Sequence, residues 1–308
     1  MYLDSAKILL GDIPAPNFAT PRVTLPISTI TRKKSSILPT APKPIRTLSE
    51  KVCADEGAAN VRPANSPSAI EYAVRVGAGS VFLNVFVTAD GVAFPAPILS
   101  GPKWEKLPWS KLAGTQIFGA LNTHDSVAKL ADIILKFPGT HFVLRPHSEK
   151  AVLAIAEVIN ATDSASQVSV TGAWDSWLET IRELTTPLLQ RSLGHESTAA
   201  FIAAVKKAQE QKHSVLISKN LKVGNWIEIP AYANTRPLMA DLNFAKLAVQ
   251  AAHGLGIYLR VTAIENFTLM ADLLELGVDE ISSSQPKQVR ELFESRKRKA
   301  EINSILGF

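Results

Sequence analysis

The feature that most constrains this chain is a repeat of short apolar segments and amphipathic stretches that begins near residue 51 and runs almost to the end. Val81-Phe82-Leu83-Asn84-Val85-Phe86-Val87 is nearly continuous in apolar residues, as expected of a strand covered on both faces. Just before it, Asn65-Ser66-Pro67 supplies a cap and a proline at the first helical position, which predicts a helix to about Val76. Thr88-Ala89-Asp90-Gly91 reads as a tight turn. The alternation continues with strands predicted at Lys51–Ala54, His141–Leu144, Gln167–Thr171, Pro187–Arg191, Ser214–Ser218, Ile257–Val261 and Glu280–Ser283. Helices are predicted at His124–Lys136, Ser148–Asn160, Asp175–Leu184, Thr198–Gln211, Asn243–His253, Thr268–Leu276 and Pro286–Arg298. About eight strand-then-helix units over some 245 residues predict an α/β fold, a single closed (β/α)8 barrel rather than an open sheet. In such a barrel the chemistry sits on the loops that follow the strands, so those loops are where site residues are sought.

Residues 1–50 do not join this pattern. They hold seven Lys/Arg (Lys7, Arg22, Arg32, Lys33, Lys34, Lys43 and Arg46) against Asp4, Asp12 and Glu50, and seven of the nineteen prolines. Prolines at that density prevent a helix and spoil a central strand. Residues 1–49 are therefore expected to form an extended basic tail, residues 50–293 the barrel, and residues 294–308 a basic helix end and tail. The whole chain carries 33 Lys/Arg and 28 Asp/Glu, so the barrel itself is nearly neutral. A solvated linker is the plainest reading of the tail, and an arm lying on an anionic or apolar partner is the functional one. The single cysteine, Cys53, excludes a disulfide framework and a thiolate-rich zinc site. No apolar run reaches the ~18 residues of a membrane span, and the N-terminus lacks the basic start of a secretory signal. A reducing compartment is the expectation. The acid-poor, Ser- and Arg-containing start points to the mitochondrion, with the cytoplasm as the alternative.

Two stretches carry a resemblance. The first is Ala69-Ile70-Glu71-Tyr72-Ala73 with Gly77-Ala78, Val85 and Thr88-Ala89-Asp90-Gly91-Val92. The second is Gly254-Leu255-Gly256-Ile257-Tyr258-Leu259 with Met270, Leu273-Leu274, Leu276-Gly277-Val278-Asp279 and Pro286. In order and spacing, from Val52 to about Leu292, they resemble the glycerophosphodiester phosphodiesterases, which implies a TIM barrel of the phospholipase-C-like phosphodiesterase type. The residues which that family uses for chemistry are not found at the matching positions. Its first strand ends in His-Arg-Gly, supplying a catalytic histidine and a phosphate-binding arginine; here the match is Asp55-Glu56-Gly57. Its Pro-Glu-Asn motif is Pro63-Ala64-Asn65 here, and its metal-binding Glu-x-Asp is Phe82-Leu83-Asn84. The His-Asp that brings its second acid/base falls, by ungapped alignment from Gly91, on Pro97-Ile98. Its third strand brings a further metal-binding Glu, while His141–Pro146 contains no carboxylate, and Arg260 replaces the tryptophan of its seventh strand.

A hard divalent cation needs several oxygen ligands around one point, and phosphodiester cleavage needs a base, an acid and positive charge at the phosphoryl oxygens. The degenerate positions Asp55, Glu56, Ala64 and Pro97, together with Phe82 and Asn84, predict a catalytically inactive barrel with no metal and no cofactor. The six histidines (His124, His141, His147, His195, His213 and His253) miss every matched catalytic position; His141 and His147 flank one strand and could converge, but no helix pair or clustered acid supports a metal site there, so surface or capping roles are expected. Asp55 and Glu56 are expected in a solvated loop cluster, with a new acid pair formed with Glu265 at the barrel mouth as the alternative. Trp174 and Trp177, three apart on one predicted helix, are expected to pack together or onto a neighbour. Trp104 and Trp109, in a Pro-rich loop, are expected to be exposed and to suit a partner interface. Arg296-Lys297-Arg298-Lys299 is expected to close the last helix, either solvated or touching an anionic partner. With Arg32, Lys33, Lys34, Lys43 and Arg46, these define candidate partner-binding residues. They suggest an accessory subunit whose partners are other proteins of a larger complex, with RNA or anionic lipid as possible contacts of the basic arms. Two readings stand beside it: an altered phosphodiesterase using some of Asp55, Glu56, Arg145, Lys219, Glu228, Arg260 and Glu265, and a ligand-binding regulator with a pocket lined by Phe82 and Asn84.

Overall fold

The computed structural model describes residues 51–212, 215 and 224–306, with the side chains of 121 and 299–306 not included. The basic tail with Arg32, Lys33, Lys34, Lys43 and Arg46, then Lys219, His213, all but one residue of the strand expected at Ser214–Ser218, and the side chain of Lys299 lie outside the described residues.

Among the described residues, eight barrel strands alternate with eight helices. The strands are β1 Val52–Ala54, β2 Ser80–Val87, β3 His141–Pro146, β4 Val168–Val170, β5 Gln190–Arg191, β6 Trp226–Pro230, β7 Tyr258–Thr262 and β8 Glu280–Ser283. The helices are α1 Pro67–Arg75, α2 Leu130–Lys136, α3 Glu149–Thr162, α4 Asp175–Leu184, α5 His195–Gln211, α6 Leu242–Gly254, α7 Phe267–Glu275 and α8 Pro286–Leu306. Every neighbouring pair of these strands runs parallel, in the order β5-β4-β3-β2-β1-β8-β7-β6. The ring closes through a parallel bridge between Ser192 and Trp226, with Leu193 N donating to the Trp226 carbonyl at 2.7 Å. This is the expected (β/α)8 barrel.

Helix starts follow the local chemistry. Ser66 caps α1 by accepting from Ala69 N, Ser148 caps α3 through Ala151 N, Asp241 caps α6 and Asn266 caps α7. Strand parity then divides the barrel. Odd-and-even alternation sends Val81, Leu83, Val85, Phe142, Leu144, Val168 and Val170 outward against α1–α4. Ile227, Ile229, Leu259, Val261 and Ile281 point outward against α5–α8 in the same way. The inward set is far more polar. Cys53, Phe82 and Val143 form its small apolar plug. Below and beside that plug, Arg260 is buried between Glu228 and Glu280, and Glu280 accepts from Ser80 Oγ at 2.6 Å. Charges this deep stand only when paired and hydrogen-bonded. The Trp226 ring, 4.8 Å from the Arg260 guanidinium, completes its surroundings.

Four expectations about local structure need correction. The helix predicted from His124 begins only at Leu130, because His124–Ser126 pairs antiparallel with Gln116–Phe118. The sixth barrel strand is Trp226–Pro230, a segment with no strand expected. Trp174 is not on α4 but precedes it as a buried cap residue, its ring edge-on to His195 at 5.7 Å. Arg296-Lys297-Arg298-Lys299 lies inside α8, which continues to Leu306, so it has no helix C-terminus to complement. Arg296 pairs with Glu275, and Arg298 lies 3.8 Å from Glu294.

Candidate functional site: the barrel mouth

The C-terminal ends of the strands converge on one mouth. At the end of β1, Asp55-Glu56-Gly57 form a helical turn. Gly57 has φ +82°, and a Cβ there would stand 2.9 Å from Ala69 Cβ on α1. The one residue kept from the His-Arg-Gly pattern is thus required by backbone packing, independent of any chemistry.

Asp55 and Glu56 are not in a solvated loop. Both are partly buried, and Asp55 is pushed up to about 6 by burial and by the neighbouring Glu56, against the pull of Arg145. Burial raises Glu56 as well, against the amides of Asn65 and Asn84. Asn84, at 1% exposure, is the hub. Its backbone N–H donates to Asn65 Oδ1 at 2.8 Å, its Nδ2 donates to Glu56 Oε1 at 2.5 Å, and its Oδ1 lies 2.8 Å from His147 Nε2. Because the amide oxygen can only accept, His147 carries its proton on Nε2. Burial and Arg145 push His147 down to about 4, so it is neutral at pH 7. Its ring stacks on Phe86 at 4.5 Å. His147 and His141 do not converge: His141 opens β3 at the opposite end, where Nε2 meets Ser169 Oγ at 3.1 Å.

Phe82, the other position matched to a metal ligand, lies under the Arg145 guanidinium, 4.7 Å from its ring centre. Neither Phe82 nor Asn84 can supply an anionic oxygen, and Glu56 is taken up by Asn84. Among the described residues no three His, Cys, Asp or Glu side chains are placed to hold a metal ion. The donor set at this mouth does not fit a hard divalent cation.

Ala64 and Pro97, the remaining positions matched to the family's motifs, are half-buried loop residues; the Pro97 carbonyl accepts from Ser100 and Gly101 N–H. Trp104 and Trp109 are also half-buried and pack on Phe86, Phe94, Ala96 and Leu112, so they do not form the exposed aromatic pair expected. Of the residues suggested for altered chemistry, Glu228 and Arg260 are committed to each other, and Glu265 accepts from Ser284 and Gln285 at 2.9 Å outside the network.

A cavity of about 240 Å³ opens on the other side of the mouth. It is lined by Arg145, Thr171, Gly172, Ser192, His195, Glu228, Thr262 and the Tyr232–Asn234 turn, and not by Phe82 and Asn84 as expected. Burial and Arg145 push His195 down to about 4. Sequence reasoning missed His195, Thr171 and Gly172; their signal was only that each follows a strand, at the positions where barrel sites are built.

No sequence-family model matches the chain, and no curated protein matches it. Solved structures do. The glycerophosphoryl diester phosphodiesterase domain of an uncharacterised protein from Mycobacterium tuberculosis superposes with a TM-score of 0.64 at 15% identity, covering 78% of this chain and 98% of that one. A glycerophosphodiester phosphodiesterase from Parabacteroides distasonis gives 0.59 at 16% identity, covering 80% and 98%. An Oleispira antarctica phosphodiesterase solved with the product sn-glycerol-3-phosphate gives 0.58 at 13% identity, covering 79% and 96%. The fold is that of the glycerophosphodiester phosphodiesterase barrel.

Proposed function

We infer that this chain is a non-hydrolytic barrel of the glycerophosphodiester phosphodiesterase type, retained as an accessory subunit of a larger assembly. One observation carries the loss of hydrolysis. At the positions matched to the metal-binding pair, Phe82 packs against Arg145 and Asn84 is hydrogen-bonded to both Glu56 and His147. Asn84, Glu56 and His147 are hydrogen-bonded in a chain, so a metal would have to break that network to enter. Asp55 and Glu56 also put carboxylates where a phosphate would need positive charge, opposing a transition state that gains negative charge.

The accessory role rests on the basic tail joined to a nearly neutral barrel. A mitochondrial assembly is the favoured setting, with protein subunits as partners and RNA or anionic lipid as contacts of the tail. Among the described residues no helix is long and apolar enough to cross a membrane.

A second reading, ligand binding without catalysis, is favoured by the cavity beside Arg145. The test of the first is direct. The full chain is assayed against glycerophosphodiesters and bis(p-nitrophenyl) phosphate with Mg2+, Ca2+ or Mn2+, while metal uptake is followed by calorimetry. No turnover above buffer and no saturable metal binding are expected. Turnover that disappears in His147→Ala would overturn the reading. Native purification from source, with and without nuclease, tests the accessory role: a fixed-stoichiometry complex supports it and a free monomer overturns it.

A further inference from the structure

The geometry points to a binding site for a small hydroxycarboxylate in the open side of the mouth, its carboxylate on Arg145 and its hydroxyl on His195. This rests on the ligand-binding reading of the cavity and names the ligand.

Arg145 is the uncommitted cation of that cavity. Glu228, the one acid lining it, is held by Arg260, and Arg260 is in turn shared with Glu280. Among the described residues Arg145 has no carboxylate within ion-pair distance, and its buried Nε has no hydrogen-bond partner. Its plane is nonetheless fixed. Phe82 supports one face, and Gly172 approaches so closely that a Cβ there would stand 2.1 Å from Arg145 Nε. A guanidinium held flat with unused donors matches the two oxygens of a carboxylate.

His195 supplies the complement. Its Nε2 is buried without a partner among the described residues. Burial keeps the imidazole neutral, and in the tautomer protonated on Nδ1 its Nε2 accepts from a hydroxyl. The start of α5 does not add positive charge to the site. Asp175 already accepts from Gly194 N at 2.9 Å and from Ser197 N at 2.8 Å, which fills it.

Charge selects carboxylate over phosphate. Asp55 and Glu56 both feel Arg145, and Asp55 also feels Glu228 and Glu265. One guanidinium in that company can offset a monoanion at most, and the second negative charge of a phosphate would meet no further cation.

The test uses the full chain in chelator, titrated with glycolate, acetate and inorganic phosphate by calorimetry, with the Arg145 Nε–H signal followed by NMR. Glycolate is expected to bind saturably and several-fold tighter than acetate or phosphate, shifting that signal. Arg145→Gln is expected to weaken glycolate about tenfold or more, and Arg145→Lys, which keeps the charge and loses the fork, by a smaller factor. His195→Phe is expected to erase the preference for glycolate over acetate while acetate still binds. No saturable glycolate binding, binding unchanged in both Arg145 variants, or phosphate outcompeting glycolate would each overturn the proposal. Diester turnover in the separate hydrolysis assay would overturn the non-hydrolytic reading and leave this site standing, so the two failures are distinguishable.

Discussion

Around Asn84 the polar side chains of the mouth bond to one another: Glu56 to Asn84, Asn84 to His147 and to Asn65, with Phe82 filled in beneath Arg145. Around the cavity at the ends of β3–β7 two polar atoms do not. There the walls of a 240 Å³ cavity include a histidine nitrogen and a guanidinium nitrogen with no partner among the described residues. The difference separates the part of the mouth that serves the fold from the part that a ligand could use. A satisfied network is structure: it stabilises, and it admits nothing. Unsatisfied donors and acceptors around a cavity cost stability, and they are what a ligand can repay.

The comparison breaks most sharply at its hub. Asn84→Leu removes two side-chain hydrogen bonds in a buried site and strands Glu56 and His147 beside an apolar group. The expected loss is roughly 3 kcal/mol of unfolding free energy. Urea denaturation of the two proteins measures it. A loss under about 1 kcal/mol would mean that the closed half is no network but a set of solvent-compensated contacts.

Acid should loosen both halves through their histidines. His141, His147 and His195 each sit at about 4 in the folded chain because burial disfavours their charged form, against 6.5 when unfolded. Their neutral state supports the fold fully above pH 6.5, and that support is lost as pH falls toward 4. Asp55 works in the opposite direction. Its folded value of about 6 exceeds its reference value of 3.8, so the native state takes up a proton first and is favoured as pH falls through 6. Three histidines outweigh one aspartate, so stability at pH 5 is expected to be roughly 4 kcal/mol below that at pH 7. Thermal melts across that range give the sign at once, and a rise in stability on acidification would show that the carboxylates dominate the mouth.

Much of this fold could be read in the chain. Ser66-Pro67 marked the start of α1, and the apolar run Val81–Val87 marked β2 within a residue of its end. What escaped was decided by distant partners. Glu228 interrupts an otherwise apolar β6, and only Arg260, a strand away, makes its inward charge acceptable. His124–Ser126 became a strand because Gln116–Phe118 offered it a ladder, against the helix its own residues suggested. At the mouth, the resemblance directed attention to Asp55, Glu56, Phe82 and Asn84, the half that proved closed. The open half was invisible for a physical reason: its residues come from five strands' ends, and none is unusual until Gly172 and Phe82 fix the plane of Arg145 beside His195.

The smallest expected effect is the most informative for the open half. Arg145→Gln removes a charge but no ion pair among the described residues; what it loses is the contact with Phe82 and some attraction to Asp55 and Glu56. Against that, a buried Nε–H without a partner disappears. The two terms nearly cancel, so unfolding free energy should change by less than about 1 kcal/mol, well below the effect at Asn84. A residue that the fold can lose so lightly is held in place for some other reason. If Arg145→Gln instead destabilises the protein as much as Asn84→Leu, the guanidinium belongs to the network after all. The mouth would then be one closed structure rather than two unlike halves, and the cavity beside it only the space such a network leaves.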